Sequence, residues 1–69
     1  MKIGDIVKYS NEDKHTYTKP FYGAIGTVES YHNKYVKVVW RAPGPLYFGR
    51  RVPFSHFPET DFTVLVEAP

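Results

Sequence analysis

The six residues from Tyr35 to Trp40 alternate so strictly that they decide what kind of fold the chain can adopt. Val36, Val38 and Trp40 fall on one side, and Tyr35, Lys37 and Val39 on the other. A period of two is the mark of a strand with one buried and one open face. Just upstream, His32-Asn33-Lys34 reads as a tight turn in which Asn33 takes a positive φ. Ala24 to Tyr31 then supplies the partner strand. Within it Ile25 and Val28 lie three apart, so a bend or bulge near Gly26 is expected, turning both inward.

The rest of the chain is punctuated in the same style. Five Gly and six Pro are spread throughout, and no stretch carries a helical period. Ile3 to Tyr9 reads as a first strand with Ile3, Asp5, Val7 and Tyr9 on one face, and Val7 as its core member. Ser10 to Pro20 is a long polar excursion. Arg41 to Gly49 is a loop holding Pro43, Gly44 and Pro45, and Pro53 restricts Arg50 to Phe54 to an edge or a strand end. Ser55 to Asp61 is expected to hold one helical turn around Pro58-Glu59. Phe62 to Glu67 closes the chain as a strand with Phe62, Val64 and Val66 on one face. The order predicts an all-β chain: residues 1–69 form one domain, a five-stranded small barrel with one short helical turn before the last strand.

Three segments carry a resemblance. They are Gly4-Asp5-Ile6-Val7, then Gly23-Ala24-Ile25-Gly26-Thr27-Val28 followed by Val36-Lys37-Val38-Val39-Trp40, and Asp61-Phe62-Thr63-Val64-Leu65. In this order and spacing the chain resembles the Src-homology-3-like barrels and, within them, the KOW-type domains. That resemblance implies a binding role, since KOW-type domains sit in ribosomal and transcription-related proteins and contact RNA or other proteins. The outline is also similar to the small docking subunits of photosynthetic electron-transfer complexes. The dense Lys/Arg of ribosomal members is absent. So are the acidic, tyrosine-bearing first strand and the paired tryptophans of proline-peptide-binding domains.

With 69 residues and no cysteine, the chain lacks thiolate ligands and disulfides, and apolar packing must hold it together. A cysteine-free chain suits a reducing compartment. No apolar run is long enough to span a bilayer, and Met1 to Asp5 does not open a signal peptide, so no membrane partner and a cytoplasmic location are expected. A net charge of +2 tolerates a nucleic-acid partner without requiring one.

No nucleophile elbow, phosphate-cradling glycine loop or zinc spacing is present, and no metal or cofactor is expected. His15 and His32 read as exposed. His56 lies near Glu59 and Asp61, a conceivable acid/base group. Ser55, Glu59 and Asp61 are better explained as caps of a helical turn, so no catalytic residue is assigned.

One Trp, six Tyr and five Phe exceed what so small a core holds. Trp40, Phe62 and one or two of Tyr9, Phe54 and Phe57 are core candidates. Tyr17, Phe21, Tyr22, Tyr31, Tyr35, Tyr47 and Phe48 are harder to bury. Left exposed beside arginines, such rings mark a contact surface. The leading expectation is therefore a non-enzymatic module that docks onto a protein in a larger assembly through Tyr22, Tyr47, Phe48, Arg41, Arg50 and Arg51. The alternative is a KOW-like protein binding single-stranded RNA or DNA through Tyr31, Lys34, Tyr35, Lys37 and Arg41, where stacking and phosphate contacts combine. Against it stands an ordinary solvated face on which Glu29 opposes Lys37 or Lys34. An exposed edge strand leaves self-association open.

Overall fold

The computed structural model describes residues 1–11 and 18–69. His15, Tyr17 and the centre of the polar excursion lie outside the described residues. The described chain is all-β. Strands β1 (Ile6–Tyr9), β2 (Ile25–His32), β3 (Tyr35–Trp40), β6 (Phe54–Pro58) and β7 (Phe62–Val66) form one antiparallel sheet in the order β6-β3-β2-β1-β7. Strands β4 (Leu46–Tyr47) and β5 (Arg50–Arg51) form a separate small hairpin. Short 3-10 turns at Lys19–Phe21 and Glu59–Asp61 precede β2 and β7.

β3 starts and stops where its alternation does, and Val36, Val38 and Trp40 are buried. The β2–β3 turn is narrower than expected. Asn33 and Lys34 alone make it, at φ 50 and 66, and His32 completes β2. Two left-handed residues match the twist of the flanking strands.

The irregularity in β2 lies after Val28, not at Gly26. Gly26 and Val28 both face inward, while Ile25 is only half-buried. A Cβ on Gly26 would lie 2.5 Å from Val38 Cγ1 and 2.6 Å from the Val39 carbonyl oxygen. The missing side chain is thus what lets β2 lie against β3, and no bend is needed there.

The buried core is Val7, Tyr9, Phe21, Val28, Val36, Val38, Trp40 and Phe62, with Phe57 and Tyr47 packed on it. Tyr9 and Phe57 supply the expected one or two further core rings, whereas the burial of Phe21 runs against expectation. Phe21 is buried because Pro20 starts a 3-10 turn that aims its ring inward, between Trp40 at 5.8 Å and Phe57 at 5.1 Å. Phe54 is exposed because β6 presents Ser55 and Phe57 to the interior instead, and Ser55 Oγ accepts the Trp40 indole N–H at 3.0 Å.

Edges account for the remaining differences. β1 is shorter than expected and Ile3 is exposed, because Gly4 at φ 94 turns the chain before the strand begins. Ser55 to Pro58 is extended as β6, so the helical turn shrinks to Glu59–Asp61 and has no side-chain cap. Of the expected inward face of β7 only Phe62 is buried. β7 is an edge strand, its register against β1 shifts at Ile6/Val7, and Val64 and Val66 stay exposed.

Two carboxylates act as clasps. Asp5, 1 % exposed, accepts the backbone N–H of Lys2 at 2.8 Å and of Ala68 at 2.7 Å, tying the two ends of the described chain together. Asp61 accepts the Asn11 side-chain amide at 2.8 Å and the Tyr9 hydroxyl at 3.3 Å, and its carbonyl accepts the amides of Ser10 and Asn11.

Replacement of Gly26 by Ala is expected to cost about 3 kcal/mol in denaturant unfolding, because backbone as well as side chain blocks the new methyl. The hydrogen bonds from Ala68 and Lys2 hold the Asp5 carboxyl below its ordinary value of 3.8. The unfolded chain therefore binds more protons at acid pH, and this contribution fades as pH falls below about 5. Asp5→Asn is expected to lower the melting temperature at neutral pH and to flatten the decline between about pH 5 and 3. Parallel melting curves for variant and parent would refute this.

Candidate functional site

The β4–β5 hairpin turns through Phe48 and Gly49, at φ 49 and 78. Glycine takes that conformation freely, whereas a bulky L-residue is strained in it. Phe48 is nevertheless 80 % exposed. Its ring stands edge-on to Tyr47 with centroids 4.5 Å apart, and Tyr47 in turn packs on Phe21 at 5.4 Å. The hairpin is thus pinned to the core through Tyr47 while its tip projects. Arg50 pairs with Tyr47 across the hairpin and is exposed.

The preceding loop is firmly built. Gly44 at φ 82 donates its N–H to the Arg41 carbonyl at 2.8 Å, and Val52 N–H donates to Pro45 at 2.9 Å. Arg51 Nη1 donates to the Gly44 carbonyl at 3.1 Å. A Cβ on Gly44 would collide with the Val52 carbonyl, so glycine is required there. The Ala42–Pro43 peptide is cis.

Between this loop and the segment from Pro20 to Ile25 runs an open cleft of about 450 Å³. Tyr22, Arg41 and Arg51 line it together with Pro20, Ile25 and the prolines of the loop. The six residues expected to dock therefore fall in two adjoining groups. Tyr22, Arg41 and Arg51 border the cleft, and Tyr47, Phe48 and Arg50 belong to the hairpin beside it. The proline walls and Ile25 were not anticipated as site residues. The density of prolines at 43 and 45 was the one available signal.

The other candidate set is dispersed. Tyr35 and Lys37 share the outer face of β3. Lys37 is bound to Glu29 at 2.9 Å and lies 4.5 Å from the centroid of the Phe54 ring. Lys34 occupies the turn, and Arg41 follows the far end of β3, about 20 Å away at strand rise. Tyr31 pairs with Val36, on the face opposite to Tyr35, because the irregularity after Val28 inverts the alternation. Its hydroxyl donates to the Glu59 carboxylate, which pushes the phenol pKa upward, with partial desolvation adding to the effect.

His56 is exposed and edge-on to Phe54, with centroids 6.1 Å apart. Glu59 meets Tyr31, and the Asp61 carboxylate meets Tyr9 and Asn11. His32 Nε2 lies 3.1 Å from the Asn33 side-chain amide. Among the described residues no three His, Asp or Glu cluster as a metal site, and no helix is long and apolar enough to cross a membrane.

Compared with known protein families, curated proteins and solved structures, the chain matches none.

Tyr47 is the link between hairpin tip and core. Tyr47→Ala is expected to cost about 2–4 kcal/mol. Amide exchange should accelerate most in 46–51, and uniform acceleration across the sheet would contradict the pinning.

Proposed function

We propose that the chain is a non-enzymatic interaction module that docks onto a protein partner through the β4–β5 hairpin and the adjoining arginine-lined cleft. The observation that carries this is Phe48, a large aromatic exposed in a left-handed turn that a smaller residue would occupy at less cost. Strain and exposure at one position are explained when the ring is needed by something outside the chain. Trp, Tyr and Arg dominate the strongest contacts of protein interfaces; Tyr47 packs edge-on to this ring, and Arg50 and Arg51 follow it in the same hairpin.

The scaffold is read as a Src-homology-3-like barrel. Supporting this are the strand order β6-β3-β2-β1-β7 and the 3-10 turn that leads from one edge strand to the other. Phe57 and Phe62, one from each edge strand, pack with centroids 6.2 Å apart. The nucleic-acid reading has less support, because its aromatic and basic residues do not converge and Lys37 is already neutralised.

Phe48→Asn separates docking from folding, since Asn-Gly is the preferred pair for such a turn. Stability should stay within about 1 kcal/mol of the parent. Partner capture from lysate of the source cells should fall by at least about tenfold relative to the unaltered protein. Equal capture by both proteins would refute docking through this tip. Salt-sensitive oligonucleotide binding that maps to Tyr35 and Lys37 would replace it with the nucleic-acid reading.

A further inference from the structure

The cleft beside the hairpin has a definite chemistry. Its walls are apolar and stiff, with Pro20 and Tyr22 on one side and Pro43 and Pro45 on the other. Fixed proline dihedrals leave little freedom to lose on binding. Arg41 and Arg51 also line it, and no carboxylate does so among the described residues. Both arginines are held at the backbone. Arg41 N–H donates to Ile25 at 2.9 Å, and Arg51 is paired with Leu46 in the hairpin. The bond from Arg51 to the Gly44 carbonyl orients the guanidinium while leaving its other N–H groups available. Among the described residues neither Arg41 nor Arg51 has an acidic partner, whereas Lys37 has Glu29.

We infer that this cleft receives an acidic segment of the docking partner, with a carboxylate side chain held by Arg41 and Arg51 and a neighbouring apolar side chain laid against the proline walls. The inference rests on the protein-docking reading and specifies its partner. A planar guanidinium matches a carboxylate through two parallel hydrogen bonds, and the proline walls offer an adjoining apolar side chain a surface beside them. Arg50, exposed on the same small hairpin, adds positive field at the rim and would speed encounter with an acidic surface.

The test is an amide-resolved NMR titration of the whole chain with an end-blocked peptide, Gly-Leu-Asp-Glu-Phe-Gly, at low and physiological salt. Its Asn-Gln counterpart, a single-stranded oligonucleotide and inorganic phosphate serve as comparisons. The acidic peptide should shift Gly23, Ile25, Ala42 and Gly44, and its affinity should fall as salt rises. The neutral peptide should bind about tenfold more weakly or worse, and so should the acidic peptide to Arg41→Gln. Arg41→Gln should keep the parent's spectrum elsewhere, since no described side-chain bond depends on that guanidinium.

Equal binding of the two peptides would reduce the cleft to an apolar contact and overturn the inference. Tighter binding of oligonucleotide or phosphate at the same amides would overturn it in favour of phosphate recognition. No shift with any probe would remove the cleft as a binding site. If the acidic peptide fails while partner capture still depends on Phe48, the inference falls and docking stands. If capture is also independent of Phe48, both fall.

Discussion

The ring of Phe21 is the contact on which the rest of the structure depends. It meets Tyr9, Trp40, Tyr47 and Phe57 with centroid separations of 5.1 to 6.3 Å, joining β1, β3, β4 and β6. β1, β3 and β6 belong to the five-stranded sheet, but β4 lies in a separate hairpin that no ladder ties to it, so side-chain packing has to make that join. In a chain of 69 residues without cysteine, one such ring is a large share of the whole core. Removing a buried Phe typically costs about 3–5 kcal/mol, comparable with the entire stability of a small domain. The residue comes from a connection, not from a strand, and Pro20 sets the turn that delivers it.

That origin explains why the core was only partly legible. Alternation revealed Val36, Val38 and Trp40 because each strand residue carries its neighbour's orientation with it. Phe21 has no such neighbours, and a ring in a proline-bearing loop looks the same in sequence whether it packs inward or outward. Asp5 shows the converse. It sits on the inward side that alternation assigned, yet it is a charge, and the amides of Lys2 and of distant Ala68 together make its burial tolerable. A partner 63 positions away leaves no local trace.

The candidate sites divide along the same line. Tyr22, Arg41 and Arg51 converge because the segments that carry them flank the two sides of one cleft, and hydrogen bonds from Arg41 to Ile25 and from Arg51 to Gly44 draw these together. Tyr35 and Lys37 share the face that alternation assigns them, whereas Tyr31 was grouped with them as a neighbour on the hairpin, and the register shift after Val28 turns it to the opposite face. One extra residue sends Tyr31 to Glu59 on the other side. A bulge without glycine or proline carries little sequence signal, which is why Gly26 drew attention that belonged two residues later.

The distribution of charge then acquires a physical meaning that the small net value hides. Asp5 and Asp61 are engaged in clasping the chain to itself, Glu29 neutralises Lys37, and Glu59 accepts from Tyr31. These acids serve internal contacts at the ends and along the sheet. Arg41, Arg50 and Arg51 gather at the opposite kind of place, a proline-rich projection where no described carboxylate answers them. A surplus of two positive charges spread evenly would have little directional effect. Concentrated on one projection beside an exposed aromatic, the same surplus becomes a patch with a sign, a direction and an anchor. Under the docking proposal, selectivity would come from the arginines and adhesion from Phe48, with the Phe21 contact with Tyr47 holding the hairpin on the core.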